Sequence, residues 1–152
     1  MAAGGGVSVR PMHSEDLAET LDMWVAAWQA AYPHIDFAAR REWAKERIAE
    51  LERSGFRSLV AARQGHIVGA VLLNPETGYL DQIVVATPEQ GRGVGDVLLA
   101  AAQHLSPAGL DLQVNRDNAR AIRFYEKHGF VAVGEDVNPR SGAPTHCLRW
   151  RP

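Results

Sequence analysis

The run Val84-Val85-Ala86-Thr87-Pro88-Glu89-Gln90-Gly91-Arg92-Gly93-Val94-Gly95 places strand-like apolar residues, then three alternating glycines, ahead of a helical stretch. Gly91, Gly93 and Gly95 carry no side chains, so successive backbone N–H groups can close on one anion, and the helix N-terminus adds partial positive charge. Phosphate is the ligand this pattern predicts. Arg92 inside the turn, with Arg116, Arg120, Arg123 and Lys127 beyond it, suits the central stretch to a small polyanion. A dinucleotide loop beginning at Gly91 would need glycine where Asp96 stands, and no G-K-[ST] loop occurs, so neither NAD nor ATP is supported. The six histidines form no pair at metal-ligand spacing, so no metal is expected. The single cysteine, Cys147, sits in no context that would make it a nucleophile.

Such a loop needs a scaffold of strands and helices to hold it. Residues 7–12 alternate as a strand, Ser14 suits a helix N-cap, and Leu17, Leu21, Trp24, Val25, Trp28 and Tyr32 recur at helical spacing until Pro33. A second helix is expected after Asp36, with Phe37, Trp43, Ala44, Ile48 and Leu51 on one face and Gly55 as its stop. From residue 57 the period drops to two. Residues 58–63 and 66–73 predict strands joined by the two-residue turn Gln64-Gly65, and 79–86 predicts a third strand. Helix 93–105, strand 110–114, helix 118–128, strand 130–135 and strand 145–150 then follow in turn. Gly129 can take the left-handed conformation that folds Phe130 back onto Phe124 or Tyr125.

With 152 residues, 46% of them hydrophobic, and a net charge of −2, the chain can fill a core without metal or disulfide support. One domain over 7–152 is expected, with residues 1–6 as a disordered tail. The near-neutral balance argues against a nucleic-acid binder, and no apolar run is long enough to span a bilayer. A soluble cytoplasmic protein is the expectation.

Gln90-Gly91-Arg92-Gly93-Val94-Gly95 resembles the acetyl-CoA pyrophosphate loop, Q/R-x-x-G-x-G/A, of the GNAT superfamily of N-acetyltransferases. Asn115, Asn118, Ala121, Tyr125, Gly129 and Phe130 resemble that family's N-x-x-N-x-x-A-x-x-x-Y-x-x-x-G-F segment, and the order of strands and helices agrees. The resemblance implies an α/β (α+β) fold: a mixed, mostly antiparallel sheet of about six to seven strands, about four helices, and a splayed acetyl-CoA cleft. It implies acetyl-CoA as co-substrate and direct transfer of acetyl to a primary amine on a small-molecule or peptide acceptor.

On this resemblance Gln90, Gly91, Arg92, Gly93, Val94 and Gly95 hold the pyrophosphate, and backbone groups of Val84 and Val85 pair with the pantetheine arm. Asn118 and Arg120 reach the arm or the phosphates, although Arg120 and Arg123 read equally as a solvated helix face. The Val85 N–H is the implied oxyanion donor. Tyr125 is implied to face the thioester sulfur. A thiol of pKa about 8.5 against a phenol of about 10 makes full proton transfer roughly 2 kcal/mol uphill, so a hydrogen bond comes first. Relatives carry a glutamate where this chain has Tyr79 or Gln113, which leaves Asp81 to handle the amine proton, with a salt bridge to an arginine as the competing reading. Tyr32, His34 and Asp36 are expected to border the acceptor. The missing glutamates leave open a non-catalytic acyl-CoA-binding module, and the many small residues leave open a longer acyl-CoA. Homodimerisation is also left open.

Overall fold

The computed structural model describes residues 6–152, so the expected tail lies, apart from Gly6, outside the described residues. Strand β1 (Val7–Pro11) leads through a 3-10 turn at Ser14–Asp16 into helix α1 (Leu17–Ala31). A second 3-10 turn at Ala38–Arg40 precedes α2 (Arg41–Arg53). Strands β2 (Arg57–Arg63), β3 (His66–Asn74) and β4 (Tyr79–Val85) form a meander. Helix α3 (Val94–Leu105), β5 (Leu110–Asn115), α4 (Ala119–Lys127), β6 (Val131–Val137) and β7 (Pro144–Trp150) complete the chain. The seven strands make one sheet in the order β1-β2-β3-β4-β5-β7-β6, within the range expected from the sequence.

Turn chemistry explains the local joints. Gln64 and Gly65 both take positive φ, 53° and 81°, as a two-residue turn between twisted antiparallel strands requires. Gly129, at φ 90°, ends α4 and lets the Phe130 N–H reach back to the Tyr125 carbonyl at 3.1 Å. The Phe130 ring then packs 5.4 Å from that of Tyr125, which ties β6 to the helix that carries the tyrosine.

Helices cover both faces of the sheet. On one face Val94, Leu98, Leu99 and Ala102 of α3 and Tyr125 of α4 pack on Leu59, Ala61, Val71, Leu73, Leu110 and Leu112. On the other, Leu21 and Trp24 of α1 meet Phe37 and Ala44, while Met23 packs on Val60 and Ile67. Leu98 and Leu99 are each fully buried, which favours folding by about 1.5–3 kcal/mol per side chain.

Gly69 sets how closely α3 approaches. A Cβ there would stand 2.8 Å from Leu98 Cδ1, 3.0 Å from Val94 Cγ1 and 3.1 Å from the Val84 carbonyl oxygen. Gly69→Ala should therefore destabilise the protein by about 1–3 kcal/mol through overpacking. Each kcal/mol corresponds to a Tm lower by about 2–4 °C at this size, measurable by thermal unfolding. A wild-type Tm would show that α3 can shift without cost.

Candidate active site

The site begins where the sheet stops pairing. β4 and β5 run parallel, yet only Tyr79 and Asp111 are in register, with the Asp111 N–H donating to the Gly78 carbonyl at 2.8 Å. On its other side β4 stays paired with β3 as far as Val85 opposite Gly69. The Ala86 N–H donates to the Val68 carbonyl at 2.9 Å. Bonded pairs alternate along an antiparallel ladder, so Val84 exchanges its bonds with Ala70, while Ile83 and Val85 turn their N–H and C=O groups toward β5. Since β5 has diverged, those groups face a cleft. Of the two residues expected to offer backbone groups there, Val85 does, whereas Val84 spends its own on β3 and Ile83 takes its place.

The cleft has a volume of about 620 Å³. One wall is the loop before α3, through Gln90, Gly91, Gly93 and Gly95; a second is α4, through Asn118, Arg120, Phe124 and Tyr125. Gly91 and Gly93 take φ of 78° and 88°, with Gly93 as the residue that caps α3. The opening N–H groups of a helix have no partner within it, so those of α3 are available to an anion at this wall. Gly95 is needed for a different reason: a Cβ would lie 3.2 Å from the Phe124 ring, so glycine lets α3 and α4 close together.

Two residues of the loop sit elsewhere than expected. Arg92 is exposed, pairs with Glu89 at 3.7 Å and does not line the cleft; a carboxylate three residues earlier claims it. The Val94 side chain is buried in the core, which leaves only its backbone to serve the loop. Asn118 lines the cleft and also caps α4, its Oδ1 accepting from the Ala121 N–H at 3.2 Å.

Tyr125 is 6% exposed and lines the cleft, and burial pushes its phenol well above the ordinary value. The third wall is α1, whose apolar spacing reads mainly as a core face, with only Tyr32 at its end expected near the acceptor. Ala27, Ala30 and Ala31 leave a shallow face beside Trp28. Four alanines among the last six residues of α1, Ala26, Ala27, Ala30 and Ala31, were the available signal. Gln82 Oε1 accepts from the indole N–H of Trp28 at 3.1 Å and from that of Trp24, which fixes both rings against β4.

The residues expected from the sequence near the amine, Tyr79, Asp81 and Gln113, lie on one sheet face. Register shifts between Leu72 and Leu73, so Leu73 faces Leu80 and Leu72 faces Gln82, leaving Asp81 as the extra residue of a bulge. Asp81 and Gln82 consequently line one cavity although they are neighbours in sequence. Asp81 is 9% exposed at its side chain and its Oδ1 accepts from Arg47 Nη2 at 2.6 Å. Tyr79 is pushed up by burial and then by the field of Asp81. Gln113 Oε1 accepts from the Thr145 hydroxyl at 3.2 Å.

Of the three residues expected at the acceptor rim, Tyr32 stacks on Trp28 at 5.7 Å and donates to Asp117 Oδ1 at 3.2 Å. His34 lies edge-on to it at 6.2 Å. Asp36 caps the 3-10 turn before α2, accepting from the Ala39 N–H at 3.2 Å. Among the described residues no group of three or more His, Cys, Asp or Glu could hold a metal ion. No helix among them is long and apolar enough to cross a membrane.

Known proteins share this arrangement. The Acetyltransferase (GNAT) family model matches residues 17–130, and the chain belongs to that family of acetyl-CoA-using N-acetyltransferases. It is 26% identical over 142 residues to peptidyl-lysine N-acetyltransferase YjaB of Salmonella typhimurium, covering 93% of this chain and 95% of that one. A mycothiol acetyltransferase of Acidimicrobium ferrooxidans is 34% identical over 140 residues, 84% of this chain and 44% of that protein. The PaiA N-acetyltransferase of Thermoplasma acidophilum, solved in complex with coenzyme A, shares the fold at a TM-score of 0.78 and 19% identity, covering 97% and 99%. The chain is therefore an acetyltransferase, and the non-catalytic alternative falls away.

One latch between cleft walls was not visible in the sequence. Asp96 of α3 meets His128 Nε2 at 2.6 Å and Lys127 Nζ at 3.5 Å, joining the start of α3 to the end of α4. Burial acts to raise the Asp96 carboxyl, but the His128 hydrogen bond and the Lys127 charge outweigh it and hold the group below its usual range. A carboxyl lowered in the fold contributes stability above its unfolded value of about 3.9 and loses it as pH falls through the lowered one. Asp96→Asn should thus reduce stability at pH 7 by up to about 1 kcal/mol, the scale of a half-exposed pair, and the gap should close in strong acid. Denaturant unfolding at pH 7 and pH 3 measures both; an equal gap at the two values would assign the loss to packing.

Proposed function

We propose that this protein transfers the acetyl group of acetyl-CoA directly to a primary amine. The observation that carries this is the pair of residues Ile83 and Val85, whose backbone groups have no strand partner on the β5 side, the Val85 carbonyl meeting only Gln90 Nε2 at 3.5 Å, and which open onto a cleft whose adjoining wall is the glycine-rich start of α3. On this reading the pantetheine amides pair with the free edge of β4 and the pyrophosphate takes N–H groups between Gly91 and Gly95, other than that of Arg92, which donates to the Glu89 carbonyl at 3.2 Å. Arg120, on the α4 wall, adds the positive charge that Arg92 does not direct into the cleft.

The neutral amine attacks the thioester carbonyl carbon and the Val85 N–H takes the developing oxyanion. The C–S bond then breaks, the electron pair leaves on sulfur, and the ammonium proton passes to solvent or to a base. Tyr125 donates a hydrogen bond to the departing sulfur. Its raised pKa widens the gap to a thiolate, so the phenol stabilises charge rather than giving up its proton. Thiol release with panels of amino acids, polyamines, aminoglycosides and peptides tests the reading. Acetyl-CoA turnover stimulated by none of these, with binding intact, would count against it. Tyr125→Phe should lower kcat by about 10–100-fold, or 1.4–2.7 kcal/mol, with acetyl-CoA affinity nearly unchanged. Wild-type kcat in single-turnover kinetics would mean that sulfur leaves unassisted.

Asp81 has two roles open to it, and the 2.6 Å ion pair to Arg47 favours the structural one. The pair occupies Oδ1, leaving Oδ2 to orient an ammonium or take its proton through water. If Asp81 handles the proton, Asp81→Asn should depress kcat/KM most near neutral pH and recover as rising pH deprotonates the acceptor in solution. A loss equal at every pH would fix Asp81 as a structural partner of Arg47.

A further inference from the structure

We propose that the acceptor is a small amine bearing an anionic group, a carboxylate or phosphate, held by the guanidinium groups of Arg140 and Arg47 at the Trp43 indole and of Arg40 over the neighbouring Phe37 ring. This deepens the proposed function and rests on it, since it names the substrate class for the same site.

Two segments far apart in sequence deliver these cations to one place. Arg40 precedes α2 directly, Trp43 lies in the first turn of α2 and Arg47 one turn on. Arg140 comes from the loop between β6 and β7, about a hundred residues away in sequence. Its Cζ stands 3.7 Å from the centroid of the Trp43 ring, and Arg47 Cζ stands 5.8 Å from the same centroid. The loop is braced for this reach: Asn138 Oδ1 accepts from the Arg140 N–H at 2.9 Å and from the Ser141 N–H at 3.3 Å, and the Asn138 N–H donates to the Ala143 carbonyl at 2.8 Å.

The charge there is not balanced. Arg47 has Asp81, but among the described residues Arg40 and Arg140 have no carboxylate partner. Burial, and then the positive fields of Arg40 and Arg47, hold the Arg140 guanidinium below its ordinary range. Like charges brought together on a preformed arch are stabilised by an anion between them, and a guanidinium fork suits the two oxygens of a carboxylate or phosphate. The start of α2 adds its own partial positive charge.

A second feature of the same wall points to a ligand. Beside Arg47 and Trp43 lies a cavity of about 50 Å³ whose lining also includes Thr20, Trp24, Asp81 and Gln82. The residue Thr20 is 4% exposed, and its hydroxyl oxygen is the one buried side-chain polar atom without a hydrogen-bond partner among the described residues. An unmet buried hydroxyl favours a polar guest. The cavity thus offers one carboxylate and one hydroxyl, and Trp43 in its lining carries the Arg140 guanidinium, which has no carboxylate partner among the described residues. That pattern suits a molecule with an amine at one end and an anion at the other.

Thiol-release kinetics with matched acceptors test this: β-alanine against 3-aminopropanamide, L-glutamate against L-glutamine, and phosphoethanolamine against ethanolamine. The wild type should favour the more anionic member by at least tenfold in kcat/KM, with the carboxylate and phosphate pairs reporting which anion is preferred. Arg140→Gln and the double variant Arg40→Gln/Arg140→Gln should bring that ratio toward one, and Arg140→Lys should keep part of it, with thermal melts confirming the fold. A wild-type ratio near one, an unchanged ratio in the double variant, or a lysine peptide turned over better than every anionic small amine would overturn the proposal. If no amine releases thiol, calorimetry with the CoA-bound protein decides, using N-acetyl-β-alanine and its amide. Tighter binding of the acid, lost in the double variant, upholds the anion site while the transfer reading fails. Equal binding of acid and amide overturns the anion site.

Discussion

Between β4 and β5 the sheet holds by one register pair, Tyr79 opposite Asp111, and the cleft exists because nothing further along repeats it. The pinned end is built from glycine. A Cβ on Gly78 would come within 2.7 Å of the Gly109 carbonyl oxygen, so the two chains approach there as only glycine permits. Beyond that point neither strand needs the other. β4 is paired with β3 to its last residue, and β5 is paired with β7 from Leu110 opposite Trp150 to Asn115 opposite Thr145. An open edge inside a sheet leaves strong hydrogen-bonding groups unmet, which is costly when dry and useful when a peptide-like ligand can complete the ladder. Ile83 and the Val85 N–H supply those groups, while the Val85 carbonyl meets Gln90 Nε2 at 3.5 Å.

The cleft walls keep the opening at a fixed width by different means. α3 is drawn onto β3 over Gly69 and onto Phe124 over Gly95, so two missing side chains set its position from both sides. Across the gap, Gln82 holds Trp24 and Trp28 through a single amide oxygen, and Trp28 in turn supports Tyr32. A strand residue thereby orients the helix that lines the co-substrate cleft. Gln82 also neighbours Asp81 on the acceptor side, so the bulge at Asp81 and the tryptophan wall belong to one local structure.

Much of this was legible in the sequence where the cause is local. Positive φ at Gly65 and Gly129, helical spacing in α1 and the fold-back of Phe130 on Tyr125 depend on residues within a few positions of one another, and each is found. The glycine loop was legible for the same reason. The pairing of Asp81 with Arg47, of Asp96 with His128 and of Arg140 with Trp43 joins residues 32 to 97 positions apart. No periodicity encodes such contacts; they follow from helix placement and strand order. The bulge that turns Asp81 beside Gln82 was hidden too, because an alternating strand pattern looks the same with one residue inserted. Arg92 shows the opposite failure, since Glu89 three residues earlier was in view as a competing partner.

The arrangement around Asp81 bears on how the proposed reaction obtains a neutral amine. At pH 7 a lysine-like amine, pKa about 10.4, is disfavoured in its neutral form by roughly 4–5 kcal/mol, whereas an α-amine near 8 costs only about 1–1.5. The Asp81 carboxylate is already engaged by Arg47 at 2.6 Å, and Tyr79 and Gln113 supply no second carboxylate. Positive charge offers another route, because a nearby cation disfavours protonation of an amine by direct repulsion. Arg40, Arg47 and Arg140 supply that charge on the acceptor side. On the proposed reading the same guanidinium groups that attract the anionic end of the acceptor lower the pKa of its amine. The field of the pocket then does part of the work that a glutamate base does elsewhere in the family, and a strongly basic amine gains the larger factor, since an amine near pKa 8 is already about a tenth neutral at pH 7.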